Sequence, residues 1–140
     1  FTRAIGVPYS KLKSKTVIEA FSSYYEKKLN SATLRSYADF LSDIVQGRIL
    51  SQESTWHLLD LMKEVKTGSR RLISGFPKQI IFAHKTGTQI RRVCDLGIVW
   101  RPDGNPLIVT ACVQGYSSLG KSEEILRRIG KAITNSGLLN

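Results

Sequence analysis

Apolar residues recur at helical spacing from Leu34 onward, with Leu34, Tyr37, Ala38, Leu41, Ile44 and Val45 on one face. Thr33 stands where a cap is needed and Gly47 where the chain must turn away, so the spacing predicts a helix between them. A second helix is expected from Ser51 or Gln52 to about Lys66, with Trp56, Leu59, Met62 and Val65 inward and Gly68 as its stop. A last helix runs from about Ser122 to Thr134, its apolar stripe made of Ile125, Ile129, Ala132 and Ile133. Glu123 and Glu124 near its start, with Arg127, Arg128 and Lys131 further along, suit the helix dipole. Three β-rich runs lie between: Gln79 to Lys85 after Pro77, Arg92 to Trp100, and Leu107 to Gln114. Asp103-Gly104 marks a hairpin between the last two. The order is helices, an antiparallel meander and a closing helix, an α+β pattern in which helices cover the sheet. Lys15 to Leu29 has the composition of a further helix.

At 140 residues and 41% hydrophobic, the chain has the size to bury a core. No apolar run is long enough to span a bilayer. Phe1 rather than Met opens it, so a processed or excised piece is expected, and any leader would have gone with what preceded it. The net charge of +10 invites a nucleic-acid reading, but the 21 Lys and Arg are scattered and no nucleic-acid motif accompanies them. No nucleic-acid partner is expected. Cys94 and Cys112 stand on neighbouring strands without a CxxC or an adjacent His, so no metal site is expected. A bridge requires a register that sets them opposite; two buried free thiols is the simpler reading.

The sharpest local signal is His84-Lys85-Thr86-Gly87-Thr88 at the end of the first strand. An ammonium, a hydroxyl and a glycine on a strand edge suit a carboxylate: charge, a directed hydrogen bond, and close approach to the backbone. A second copy, Lys66-Thr67-Gly68, falls at a helix end and reads as a C-cap. The tripeptide alone is common, so its surroundings must decide.

Those surroundings resemble the serine β-lactamase and penicillin-binding protein superfamily over nearly the whole chain. Phe82-Ala-His-Lys-Thr-Gly-Thr, then Asp95-Leu-Gly-Ile-Val, the Pro-Asp-Gly hairpin, and a terminal helix with Ile-Gly-Lys-Ala-Ile follow one another in that superfamily's order. Upstream, Asn30-Ser-Ala-Thr-Leu-Arg resembles the entry to the helix after the family's Ω loop. Ser69-Arg-Arg-Leu-Ile-Ser-Gly-Phe-Pro resembles the approach to the substrate strand. The resemblance implies the C-terminal portion of a three-layer α-β-α fold. Within it, 1–32 would form an Ω-loop-like or connecting region, 33–68 a helical pair, 79–114 the strands and 121–136 the last helix. It further implies that Lys85 and Thr86 hold the carboxylate of a β-lactam or D-alanyl-D-alanine peptide, with Gly87 giving access. Thr88 would offer its backbone N–H to an oxyanion and its side chain to the substrate. Arg91 or Arg92 would supply the arginine such sites place near the carboxylate, or else form a solvated strand edge. His84 would face the other way.

The family's Ser-x-x-Lys nucleophile is matched only literally, by Ser10-Lys11-Leu12-Lys13, which lies too close to Lys85 and reads as a surface loop. No Ser-x-Asn occurs. Glu26-Lys27-Lys28-Leu29-Asn30 fits the Glu-x-x-Leu-Asn pattern holding the deacylating base of class A enzymes, although Glu26 reads equally as an exposed acid. The expected partners are therefore a β-lactam or D-Ala-D-Ala peptide and the missing N-terminal half of the same domain. No cofactor is implied, and family resemblance suggests a periplasmic or secreted protein. A catalytically inactive relative binding peptidoglycan is the competing expectation.

Overall fold

The computed structural model describes residues 16–28, 31–116 and 118–140, in two units, Phe1–Thr33 and Leu34–Asn140. In the first, α1 (Val17–Glu26) opens on a reciprocal capping box. The Glu19 N–H donates to Thr16 Oγ1 at 3.2 Å, and the Thr16 N–H to Glu19 Oε2 at 2.7 Å. Phe21, Tyr24 and Tyr25 set their rings edge-on or tilted to one another, centroids 5.8 to 6.4 Å apart, on this helix.

The second unit holds α2 (Leu34–Val45), α3 (Gln52–Lys63), a 3-10 turn (Leu72–Gly75), β1 (Phe82–Gln89), β2 (Arg92–Trp100), β3 (Pro106–Gln114) and α4 (Leu119–Asn135). The strands form an antiparallel meander in the order β1-β2-β3. The two-residue period of the strands sorts their side chains. Phe82, Val93, Val99, Val109, Ala111 and Val113 face α4 and the 3-10 turn, meeting Leu72, Phe76 and Leu126. Ala83, Leu96 and Ile98 face α2 and α3, meeting Leu41, Ile44, Leu59 and Met62. This is an α+β sheet with helices on both faces. Each fully buried side chain of this kind stabilises by roughly 1.5–3 kcal/mol.

The 3-10 turn and α4 pack backbone against backbone. A Cβ on Gly130 would fall on the carbonyl oxygen of Leu72, and one on Gly75 on the backbone of Arg127 and Lys131. Both glycines permit backbone to touch backbone.

Several expectations need correction. β1 begins at Phe82, not Gln79, because Pro77 starts a turn closed by the Ile80 N–H at 3.0 Å, and it runs on to Gln89. The Lys-Thr-Gly motif therefore lies inside the strand. α3 ends at Lys63 with Glu64 as its cap, so Lys66-Thr67-Gly68 is loop, not a helix cap. Ser118 caps α4, which starts at Leu119 and leaves Glu123 and Glu124 beyond its first turn. The centre of its buried stripe is Leu126, flanked by Ile125, Ile129 and Ile133, while Ala132 is exposed. Trp56 is 60% exposed rather than inward, since Thr55 takes the buried place beside Leu59 and Met62.

Cys94 and Cys112 form a disulfide, against the reading of two buried free thiols. The register sets them directly opposite, and their 4.1 Å Cα separation is the short spacing of a non-hydrogen-bonded antiparallel pair. Nor are they deeply buried: Cys112 is exposed and Cys94 half-buried.

Candidate functional site

Along β1 the burial changes abruptly. Phe82, Ala83 and His84 are sealed, and Lys85 to Gln89 are open apart from half-buried Thr86. Among the described residues β1 pairs only with β2, so its other side is an edge. The direction of its backbone groups follows from the disulfide. A non-hydrogen-bonded Cys94–Cys112 pair turns the amide and carbonyl of Cys94 toward β1, making Gly87–Cys94 the hydrogen-bonded pair. Thr86 and Thr88 then direct their N–H and C=O groups away from β2. The Thr88 N–H points to the sheet edge, and the Thr86 carbonyl accepts from Lys85 Nζ at 2.5 Å.

Arg71 supports this stretch from behind. It is 4% exposed, held by the 3-10 turn that follows it. Its Nη2 donates to Thr88 Oγ1 at 2.6 Å, and its Nη1 to the carbonyls of Cys94 at 2.9 Å and Gly87 at 3.4 Å. Glu123 of α4 lies 3.4 Å from its Nε and balances the buried charge. The loop Lys66–Gly68 closes over Thr86: Thr67 Oγ1 sits 2.6 Å from Thr86 Oγ1. Gly68, at φ +75°, has no room for a Cβ, which would strike Thr86 Cγ2. The second Lys-Thr-Gly copy thus contributes a hydroxyl beside the first.

Behind these residues lies a buried pair. His84 Nδ1 meets Asp95 Oδ1 at 2.8 Å, and Asp95 Oδ2 accepts the Leu72 N–H at 3.2 Å. Both side chains are sealed, with His84 stacked on Phe82. Asp95 thereby joins β2, β1 and the 3-10 turn that follows Arg71. His84 shares a face with Thr86 and Thr88; Lys85 and Gly87 share the other.

The remaining sequence candidates are placed as follows. Arg91 occupies the turn between β1 and β2 at φ +57°, its Nη2 on the Gly115 carbonyl at 3.2 Å. Arg92 begins β2, opposite Gln89 and Gln114. The guanidinium brought onto Thr88 belongs instead to Arg71, which sequence reasoning missed. Nothing in Ser69-Arg70-Arg71-Leu72 separates exposed Arg70 from buried Arg71; the turn does that. Asp95 left a fainter signal, as an acid inside an otherwise apolar strand. Glu26 is the exposed last residue of α1, while Leu29 and Asn30 of its pattern and Ser10 to Lys13 fall outside the described residues.

The geometry gathers a lysine, three threonine hydroxyls and a buried arginine around one strand edge, an arrangement suited to an anionic ligand that also approaches an outward N–H. Comparison with known proteins agrees in kind. The family model described as "Beta-lactamase enzyme family" matches residues 1–136. The extended-spectrum β-lactamase PER-1 of Pseudomonas aeruginosa is 32% identical over 69% of this chain and 33% of its own length. The chain thus spans about a third of that relative. Among solved structures, PBP-A superposes with a TM-score of 0.66 at 30% identity, covering 72% of this chain and 38% of that one. The TLA-1 extended-spectrum β-lactamase superposes at 0.75 with 27% identity, covering 94% and 52%.

Proposed function

Because this chain belongs to the beta-lactamase enzyme family, we propose that it is the substrate-binding half of a serine β-lactamase-like hydrolase. In this reading the nucleophile and its Ser-x-x-Lys lysine lie on sequence outside these residues. The observation that carries it is the conjunction at β1: an edge-facing Thr88 N–H, with Lys85, Thr86 and the Thr67 hydroxyl beside it. Lys85 and Thr86 bind the substrate carboxylate, and Gly87 lets the ring approach. The Thr88 N–H stabilises the oxyanion when a serine attacks the acyl carbon. Arg71, rather than Arg91 or Arg92, supplies the guanidinium charge behind the carboxylate and fixes the Thr88 side chain. The disulfide suits an oxidising compartment, and so a periplasmic or secreted protein.

The test uses the protein carrying this chain together with the sequence that precedes it. Nitrocefin turnover is expected, and Lys85→Ala should slow acylation by about a hundredfold while leaving stability unchanged. Unchanged acylation would remove Lys85 from the site. If Glu26 is the deacylating base, Glu26→Gln should convert turnover into a stable adduct. The likeness to PBP-A, a variant of which forms an acyl-enzyme with penicillin G, favours a second reading as a D-alanyl-D-alanine peptidase. A stable fluorescent-penicillin adduct in the unmutated protein would select it. Neither turnover nor adduct would leave an inactive peptidoglycan-binding relative.

A further inference from the structure

Trp56 breaks the pattern of its own helix, and the place where it does so is hollow. It lies 60% exposed on α3, beside a cavity of about 440 Å³ between α3, the end of α2 and the end of β2. That volume falls within the roughly 300–1,000 Å³ usual for small-molecule sites. Trp100, half-buried at the end of β2, forms a second wall. Lys63 reaches over the Trp100 ring at 5.4 Å from its centre and donates to Asp60 Oδ1 at 2.8 Å. Thr55, 5% exposed, also lines the cavity, and among the described residues its Oγ1 is the buried side-chain polar atom without a hydrogen-bond partner. Native structures seldom leave such a group unmet, and a bound molecule is one of the reasons they do.

We propose that this cavity is a binding site for a neutral saccharide unit. The chemistry selects the class. The open Trp56 indole offers a flat apolar plate for the C–H face of a ring. Lys63, lying over Trp100, and Asp60 are paired with each other, so the cavity offers an unpaired charge to neither a cation nor an anion. What remains accessible is the Lys63–Asp60 donor–acceptor pair, which matches ring hydroxyls without being broken apart. The site uses none of the residues around Lys85, and so stands independently of the function proposed above.

Trp56 and Trp100 both line this cavity, so in the protein that carries this chain their indole signals, assigned with Trp56→Phe and Trp100→Phe, report on it. Titration with maltotriose and with triacetylchitotriose, followed by tryptophan fluorescence and by indole N–H shifts, should give one saturable transition with at least one of them. Trp56→Ala, an exposed position, should weaken that binding about tenfold or more as read at Trp100. Lys85→Ala should leave it unchanged. Absence of a saturable shift with both sugars would overturn the proposal, as would binding that survives Trp56→Ala. So would tighter binding of choline or acetate, or Trp56 proving shielded from acrylamide quenching in the longer protein, where another segment would then occupy the cavity.

Discussion

The two faces of the sheet are both covered by helices, yet they are sealed in different ways. Toward α2 and α3 the contact is made by aliphatic side chains, and the one buried polar residue, among those described, is Thr55. Toward α4 and the 3-10 turn, Arg71, His84, Asp95 and Ser122 are buried among the apolar residues. An apolar face holds a layer in place and tolerates small readjustments. A buried polar network fixes particular atoms, because each unmet partner is costly. The network lies directly behind Thr86 and Thr88. The molecule therefore spends its positional accuracy where the candidate site stands, and covers the other face with ordinary packing.

The comparison can be broken most forcefully at Gly130. Gly130→Val would drive a side chain into the Leu72 backbone and should cost at least about 3 kcal/mol, read as loss of soluble protein or of the denaturation midpoint. Next is Asp95→Ala, which strands both the Leu72 N–H and His84 and should cost about 3 kcal/mol. Urea denaturation with near-ultraviolet circular dichroism would measure it; a loss below a few tenths would mean that the network does not hold the fold. Reduction of Cys94–Cys112, which closes a loop across a sequence separation of 18, should lower stability by about 3 kcal/mol or somewhat less. The same denaturation with and without reductant compares the two states. On the aliphatic face, Ile44→Val should cost only about 1 kcal/mol. An equal loss at Ile44 and Asp95 would erase the contrast between the faces.

The smallest effect belongs to neither face. In the β2–β3 hairpin, hydrogen bonds from the Asn105 side chain and backbone, with Arg101 nearby, lower the Asp103 pKa. A carboxyl whose folded value is depressed contributes stability above its unfolded value, and loses it as pH falls through the folded one. Acidification into that range should lower the protection of the Asn105 amide, taken relative to its intrinsic exchange rate at each pH, and Asp103→Ala should abolish this loss of protection.

Much of this was legible in the residues and some of it was not. β2 runs from Arg92 to Trp100 as its apolar run predicted, because a strand buried on both faces declares itself without any partner. The Lys85 motif stood out because its residue types are unusual on a strand. Arg71 did not, since its burial depends on contacts to Thr88 and Glu123, 17 and 52 positions away. Trp56 misled for a related reason. Helical periodicity cannot choose between Thr55 and Trp56 when both border the apolar stripe, and bulk suggested the wrong one. The cysteines needed the register of β2 against β3, which alternation alone leaves ambiguous by whole steps.

The bridge between those strands settles that ambiguity by chemistry. A ladder held only by hydrogen bonds can slide one notch, and a single notch turns every side chain of a strand over to the opposite surface. Once sulfur joins Cys94 to Cys112, β2 and β3 are pinned as a ratchet is pinned by its pawl. The parity of β2 is then fixed, and with it the direction in which Asp95 looks.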